Sequence, residues 1–173
     1  NGFKTLGGTV ETRTWHRFVS FTDCYVEDCG LGGGTNCAAI AVHLSTDVTI
    51  TNLTVRPKGA RADGYSSREA VSIAGSHRVT VLNVSVTNPE YAGIYLNSAL
   101  GEYSDITVDG ARIATGETAT PLVISRSNIT VRRVVMRNVR VNHSGTGYVI
   151  STAKSDTSTL IGGIRVELEL MNS

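Results

Sequence analysis

An eight-residue frame, apolar–x–apolar–x–turn–apolar–x–apolar, occurs six times along this chain and constrains its fold more than any other feature. The frames start at Val19, Val48, Val79, Ile106, Ile129 and Thr159 and read VSFTDCYV, VTITNLTV, VTVLNVSV, ITVDGARI, ITVRRVVM and TLIGGIRV. Successive starts lie 29, 31, 27, 23 and 30 residues apart. A period of that length marks stacked supersecondary units, none of which can bury its apolar face alone. Within each frame apolar residues recur with period two, break at one position, and resume with period two. That is the pattern of two short strands joined by a sharp bend, whereas a helix repeats every ~3.6 residues.

Stacking the frames gives columns. Val19, Val48, Val79, Ile106, Ile129 and Thr159 form one inward column, and Phe21, Ile50, Val81, Val108, Val131 and Ile161 a second. The bend holds Asp23, Asn52, Asn83, Gly110, Arg133 and Gly163. Asp, Asn and Gly tolerate the left-handed backbone that a tight corner requires, so only Arg133 departs from the rule. A third short apolar strand is expected near 39–44, 70–73, 93–96, 121–124 and 147–150. Because every unit returns in the same sense, equivalent strands must run parallel. The expected fold is therefore all-β, a parallel β-helix of about six rungs with three short strands per rung. The chain reads as a single domain over 1–173, with a lead-in segment at 1–15 and a terminal rung, cap or oligomer contact at 159–173. It does not begin with Met, so it is expected to be part of a longer chain.

Composition agrees and removes several function classes. A net charge of +1 gives no global field for nucleic acid, and no apolar run approaches the roughly 20 residues of a membrane span, so neither partner is expected. Cys24, Cys29 and Cys37 are odd in number and unevenly placed, which is no disulfide framework and fits a reducing compartment. Cys24 occupies a core slot of its frame. Cys29, Cys37 and His43 match no standard zinc spacing, so no metal and no cofactor are assigned. The N-x-S/T sequons at Asn52 and Asn83 fall on bends and read as corner residues; those at Asn128 and Asn142 are likewise products of the strand grammar. The run Gly30-Leu31-Gly32-Gly33-Gly34 lacks the Lys-Ser/Thr of a phosphate loop.

The repeated V/I-T-V/I-x-N/D/G-x-x-V frame, over roughly 16–168, resembles the right-handed parallel β-helix, pectin-lyase-like superfold of pectate lyases, polygalacturonases and phage tailspikes. The resemblance implies a right-handed, single-stranded β-helix. It leaves activity open, because hydrolases, lyases, adhesins and purely structural spikes share the architecture. The NTD, DD and GHG motifs of polygalacturonases are missing, and no Asp cluster suits a lyase metal site.

Candidate function lies in the loops. Glu90 and Glu117 each fall eleven residues after a frame start, on adjacent rungs. Rungs stack about 4.8 Å apart, and glycosidase carboxyl pairs stand about 5–9.5 Å apart. Glu90 and Glu117 are therefore the candidate catalytic acid and base or nucleophile. The longest loop, 56–69, offers Arg61, Asp63, Tyr65, Arg68 and Glu69 for an acidic saccharide, and Tyr95 faces outward on the third strand. The other outward positions there, Ala41, Ser72, Val123 and Val149, are apolar or small and point to a subunit contact. The reading that joins these features is a phage tailspike-like appendage module, homotrimeric and located in the virion, that binds bacterial surface polysaccharide and, if catalytic, cleaves it through Glu90 and Glu117. The alternatives are a non-catalytic virion protein contacting other virion proteins, or a fragment of a secreted or cell-surface pectate-lyase-like enzyme or adhesin.

Overall fold

The computed structural model describes residues 3–6, 16–29, 38–57, 66–126, 129–154 and 159–171. In chain order the strands are β1 (Phe3–Leu6), β2 (His16–Thr22), β3 (Tyr25–Glu27), β4 (Ala38–His43), β5 (Ser45–Thr51), β6 (Thr54–Arg56), β7 (Glu69–Ala74) and β8 (His77–Leu82). There follow β9 (Ser85–Thr87), β10 (Ala92–Asn97), β11 (Tyr103–Asp109), β12 (Arg112–Thr115), β13 (Thr120–Arg126), β14 (Thr130–His143), β15 (Ile150–Lys154) and β16 (Thr159–Leu170). Every described pairing is parallel. One sheet runs β1-β4-β7-β10-β13-β15; the other joins the two remaining strands of each rung, β2-β5-β8-β11-β14 and β3-β6-β9-β12-β14, with β16 on β14. The chain is thus a parallel β-helix of about five turns.

The core is the stack of inward columns. Val48, Val79 and Ile106 are 0–1% exposed, as are Ile50, Val81 and Val108 beside them and Leu53, Val84 and Ala111 past the bend. Cys24 and Phe21, on the first rung, are only half-buried, as are Ile164 and Val166 on the last. Cys29 is buried, its Sγ facing the Ala38 carbonyl at 3.7 Å. Each inner rung is covered on both sides by the next; the end rungs are covered on one.

Two columns of left-handed residues shape each turn, five residues apart. The corner column is Asp23, Asn52, Asn83, Gly110 and Asn138, with φ between 52° and 76°. The second, near the start of the strand, is Phe18, Asp47, Arg78, Asp105 and Arg133, with φ between 43° and 58°. Arg133 therefore does not sit in the bend. The register pairs Ile106 with Val134 and Val108 with Met136, so the fifth frame is VVMRNVRV from Val134, not ITVRRVVM from Ile129. The sixth likewise aligns Ile164 with Val134, not Thr159 with Ile129. The starts then fall 28 and 30 residues apart, more even than the spacing first read from the sequence. The reason is physical: a left-handed residue in mid-strand switches side-chain parity just as a corner does. Ile129, Val131, Arg133, Val134 and Met136 therefore imitate a complete frame.

The corner column is tied by side chains, Asn52 Nδ2 donating to Asp23 Oδ1 at 2.8 Å and Asn138 Nδ2 to Asp109 Oδ1 at 2.7 Å. The second column alternates in charge. Arg78 donates to Asp47 through Nε and Nη2 at 2.6 and 2.7 Å, and Arg133 pairs with Asp105. These hydrogen bonds hold the Asp47 and Asp105 carboxyls below their ordinary range. Asp109 is lowered too, first by Asn138 and then by Arg137.

The middle strands β4, β7 and β13 of the six-stranded sheet are buried on both faces, as strands of parallel sheets usually are. Its outward column is Ala41, Ser72, Tyr95, Val123 and Ser151, the last replacing Val149. Val123 is 5% exposed within the single chain, so its apolar character needs no subunit contact.

Candidate functional site

The loops before β7 and β10 stack directly, and backbone hydrogen bonds hold them in register. Cys29 N donates to Ser66 O, Ser66 N to Asn88 O, Glu90 N to Ser67 O at 2.7 Å and Tyr91 N to Arg68 O at 2.8 Å. Thr120 N then reaches Tyr91 O from the next turn. Residues 66–68 are thus fixed between two neighbouring rungs, and the side chains of Arg68, Glu69, Glu90, Tyr91 and Tyr95 are gathered at one place. Gly93, between the two tyrosines, packs tightly against the next rung: a Cβ there would lie 2.7 Å from Ile113 Cγ2 and 2.8 Å from the Pro121 carbonyl oxygen.

Within this group the Arg68 guanidinium lies over the Tyr91 ring, 5.4 Å from its centre. The Tyr91 and Tyr95 rings meet edge to face, 5.5 Å apart at 77°. Arg68 Nε also stands 3.5 Å from Glu69 Oε1. The Glu69 side chain is only 5% exposed. Burial pushes its carboxyl above the usual range; Arg68 opposes the rise, and the charge of Glu90 adds to it. Burial also raises the Tyr95 phenol, with Tyr91 and Glu69 contributing. Glu90 itself is exposed. Two acidic groups thus meet in unlike environments, one that favours the proton and one open to solvent.

The sequence paired Glu90 with Glu117. The ladder leaves Thr87 opposite Ala114 and resumes with Ala92 opposite Thr120, so the later loop is one residue longer. The Glu117 backbone lies against Gly145 on the next rung, near the His143 ring, whose Nδ1 is 2.7 Å from Thr115 Oγ1. The carboxylate whose charge acts on Glu69 is Glu90. Of the saccharide candidates, Arg68, Glu69 and Tyr95 join this group, while Arg61, Asp63 and Tyr65 lie outside the described residues. Tyr91 was not foreseen; its signal is the pair of tyrosines four apart around Gly93 in EYAGIY.

No family model, curated protein or solved structure matches the chain.

A cleft lies elsewhere. A space of about 750 Å³ opens along the outer corner of the second sheet, bordered by Asn83, Gly110 and Asn138 on one side and Arg112, Arg140 and Glu169 on the other. It lies on the second sheet, away from the Glu69 group on the first.

Proposed function

We propose that this β-helix engages polysaccharide at the Arg68–Glu69–Glu90–Tyr91–Tyr95 site and cleaves a glycosidic bond there. The carrying observation is the buried Glu69, disposed to keep its proton, beside the ionisable and exposed Glu90. Glycoside hydrolysis needs one carboxylic acid to protonate the leaving oxygen and one carboxylate to act as base or nucleophile. Glu69 takes the first role in this reading and Glu90 the second. Tyr91 and Tyr95 supply the amphipathic faces on which a pyranose stacks, and Arg68 a guanidinium for a substrate oxyanion. The fold's repetitive, rigid form and its likeness in sequence pattern to tailspikes favour bacterial surface polysaccharide as the substrate. They favour equally a trimeric virion appendage as the setting.

The test is release of reducing ends from bacterial capsular polysaccharide. The wild type should release them, Glu69→Gln and Glu90→Gln should lose at least a hundredfold in rate, and Tyr91→Ala should weaken retention on the immobilised polymer about tenfold. Retention without release in the wild type would reduce the site to a binding site. No retention at all would refute the reading and favour a structural role.

A further inference from the structure

We infer that the corner cleft of the second sheet is a separate glycan-binding site, whose anchor is a carboxylate held by Arg112 and Arg140. The inference is independent of the Glu69 site, which lies on the other sheet.

Five arginines on the outer faces of this helix are matched with carboxylates from an adjacent rung. Arg56 meets Glu27, Arg78 meets Asp47, Arg133 meets Asp105, Arg137 meets Asp109 and Arg140 meets Glu169. Arg112 is not matched in this way. Its backbone N–H bonds to Val84 O, but among the described residues no carboxylate pairs with its side chain. The register sets it directly opposite Arg140 on the next rung. Adjacent strands are about 4.8 Å apart, and like charges directly opposite destabilise a sheet. Arg140 donates through Nε to Glu169 at 2.9 Å, which cancels one of the two charges and leaves the other.

Both arginines border the cleft of about 750 Å³, so the unbalanced charge stands at a concavity large enough for a ligand. Guanidinium groups bind planar carboxylates through paired hydrogen bonds, and two on neighbouring strands can share one anion. The rest of the lining restricts the ligand further. Asn83, Ser85 and Asn138 offer neutral polar groups, and Glu167 and Glu169 close the far end with their charges already paired to Arg165 and Arg140. A second carboxylate would find no free cation there among the described residues. The cleft crosses successive rungs at a repeat of about 4.8 Å, comparable to the length of one pyranose unit in an extended chain. The chemistry thus specifies a glycan that carries isolated uronates among neutral sugars, and disfavours a polyuronate.

Titration calorimetry on the full chain can test this with three probes: a hyaluronan hexasaccharide, its carboxyl-reduced form and hexagalacturonate. The hyaluronan oligomer should bind at least tenfold tighter than either of the others. Arg112→Gln should weaken it tenfold or more, with unchanged circular dichroism. Glu169→Gln, which frees Arg140, should tighten hexagalacturonate several-fold. Glu69→Gln should leave all three affinities unchanged, which separates this site from the proposed catalytic one. The inference is overturned if none of the probes binds, if Arg112→Gln binds as the wild type does, or if Glu69→Gln abolishes the binding.

Discussion

Asn138→Ala probes the corrected register and the corner chemistry together. Asn138 has φ of 52°, in the left-handed region, and its Nδ2 donates to Asp109 Oδ1 at 2.7 Å. An L-residue with no local polar group costs about 1–2 kcal/mol in that conformation. The hydrogen bond lost with it is solvent-exposed and adds little. The expected destabilisation is therefore about 1–2 kcal/mol, read from urea denaturation followed by far-ultraviolet circular dichroism. Asn138→Gly should lose less than Asn138→Ala, since glycine accepts the backbone conformation freely. Asn142→Ala is the control: Asn142 lies on the same strand with no left-handed backbone, so its loss should stay within about 0.5 kcal/mol. If Asn138→Ala and Asn142→Ala cost the same, the corner of this rung is not at Asn138, and the register argument fails.

Stability should fall in acid for a definable reason. Asp47, Asp105 and Asp109 are lowered by their partners in the folded chain, so their contribution is present above the unfolded value of about 3.9. It is lost as pH falls through the folded values, and melting temperature measured from pH 6 down to pH 2 should drop across that range. Glu69 acts in the opposite sense. Its folded pKa is raised, so its contribution is complete below the unfolded value of about 4.3 and is lost as pH rises through the folded one. Glu69→Gln should therefore gain stability relative to the wild type between pH 4 and pH 8; a constant difference would contradict the burial argument. Gly93→Ala should destabilise by about 1–3 kcal/mol through overpacking against Ile113 and the Pro121 carbonyl. It should also weaken polysaccharide retention, because it displaces the segment that carries Tyr91 and Tyr95.

The solenoid was legible because its grammar is local: alternating apolar residues around Asp23, Asn52, Asn83 and Gly110 require nothing beyond strand parity and left-handed tolerance. The fifth and sixth frames misled for the same reason. Arg133 and Gly163 are left-handed residues in a column other than the corner, with φ of 43° and 79°, and they switch parity identically. Only the stacking register tells the two columns apart. The site was legible in its parts and not in its arrangement. Arg68, Glu69, Glu90 and Tyr95 all stood out as chemistry-bearing loop residues. Their association depends on hydrogen bonds between loops of unequal length, for which the repeat gives no alignment rule. Arg112 was invisible as a site because its distinction is the lack of a partner on the neighbouring strand.

The central functional claim is that Glu69 and Glu90 act as one carboxyl pair. Carbon-13 NMR titration of the Glu69 carboxyl, in the wild type and in the Glu90→Gln and Glu117→Gln variants, tests it most directly. The account expects Glu69 to titrate above the ordinary glutamate value of about 4.3, to move downward in Glu90→Gln, and to stay in place in Glu117→Gln. An ordinary Glu69 titration, or one that responds to Glu117 and not to Glu90, would contradict it.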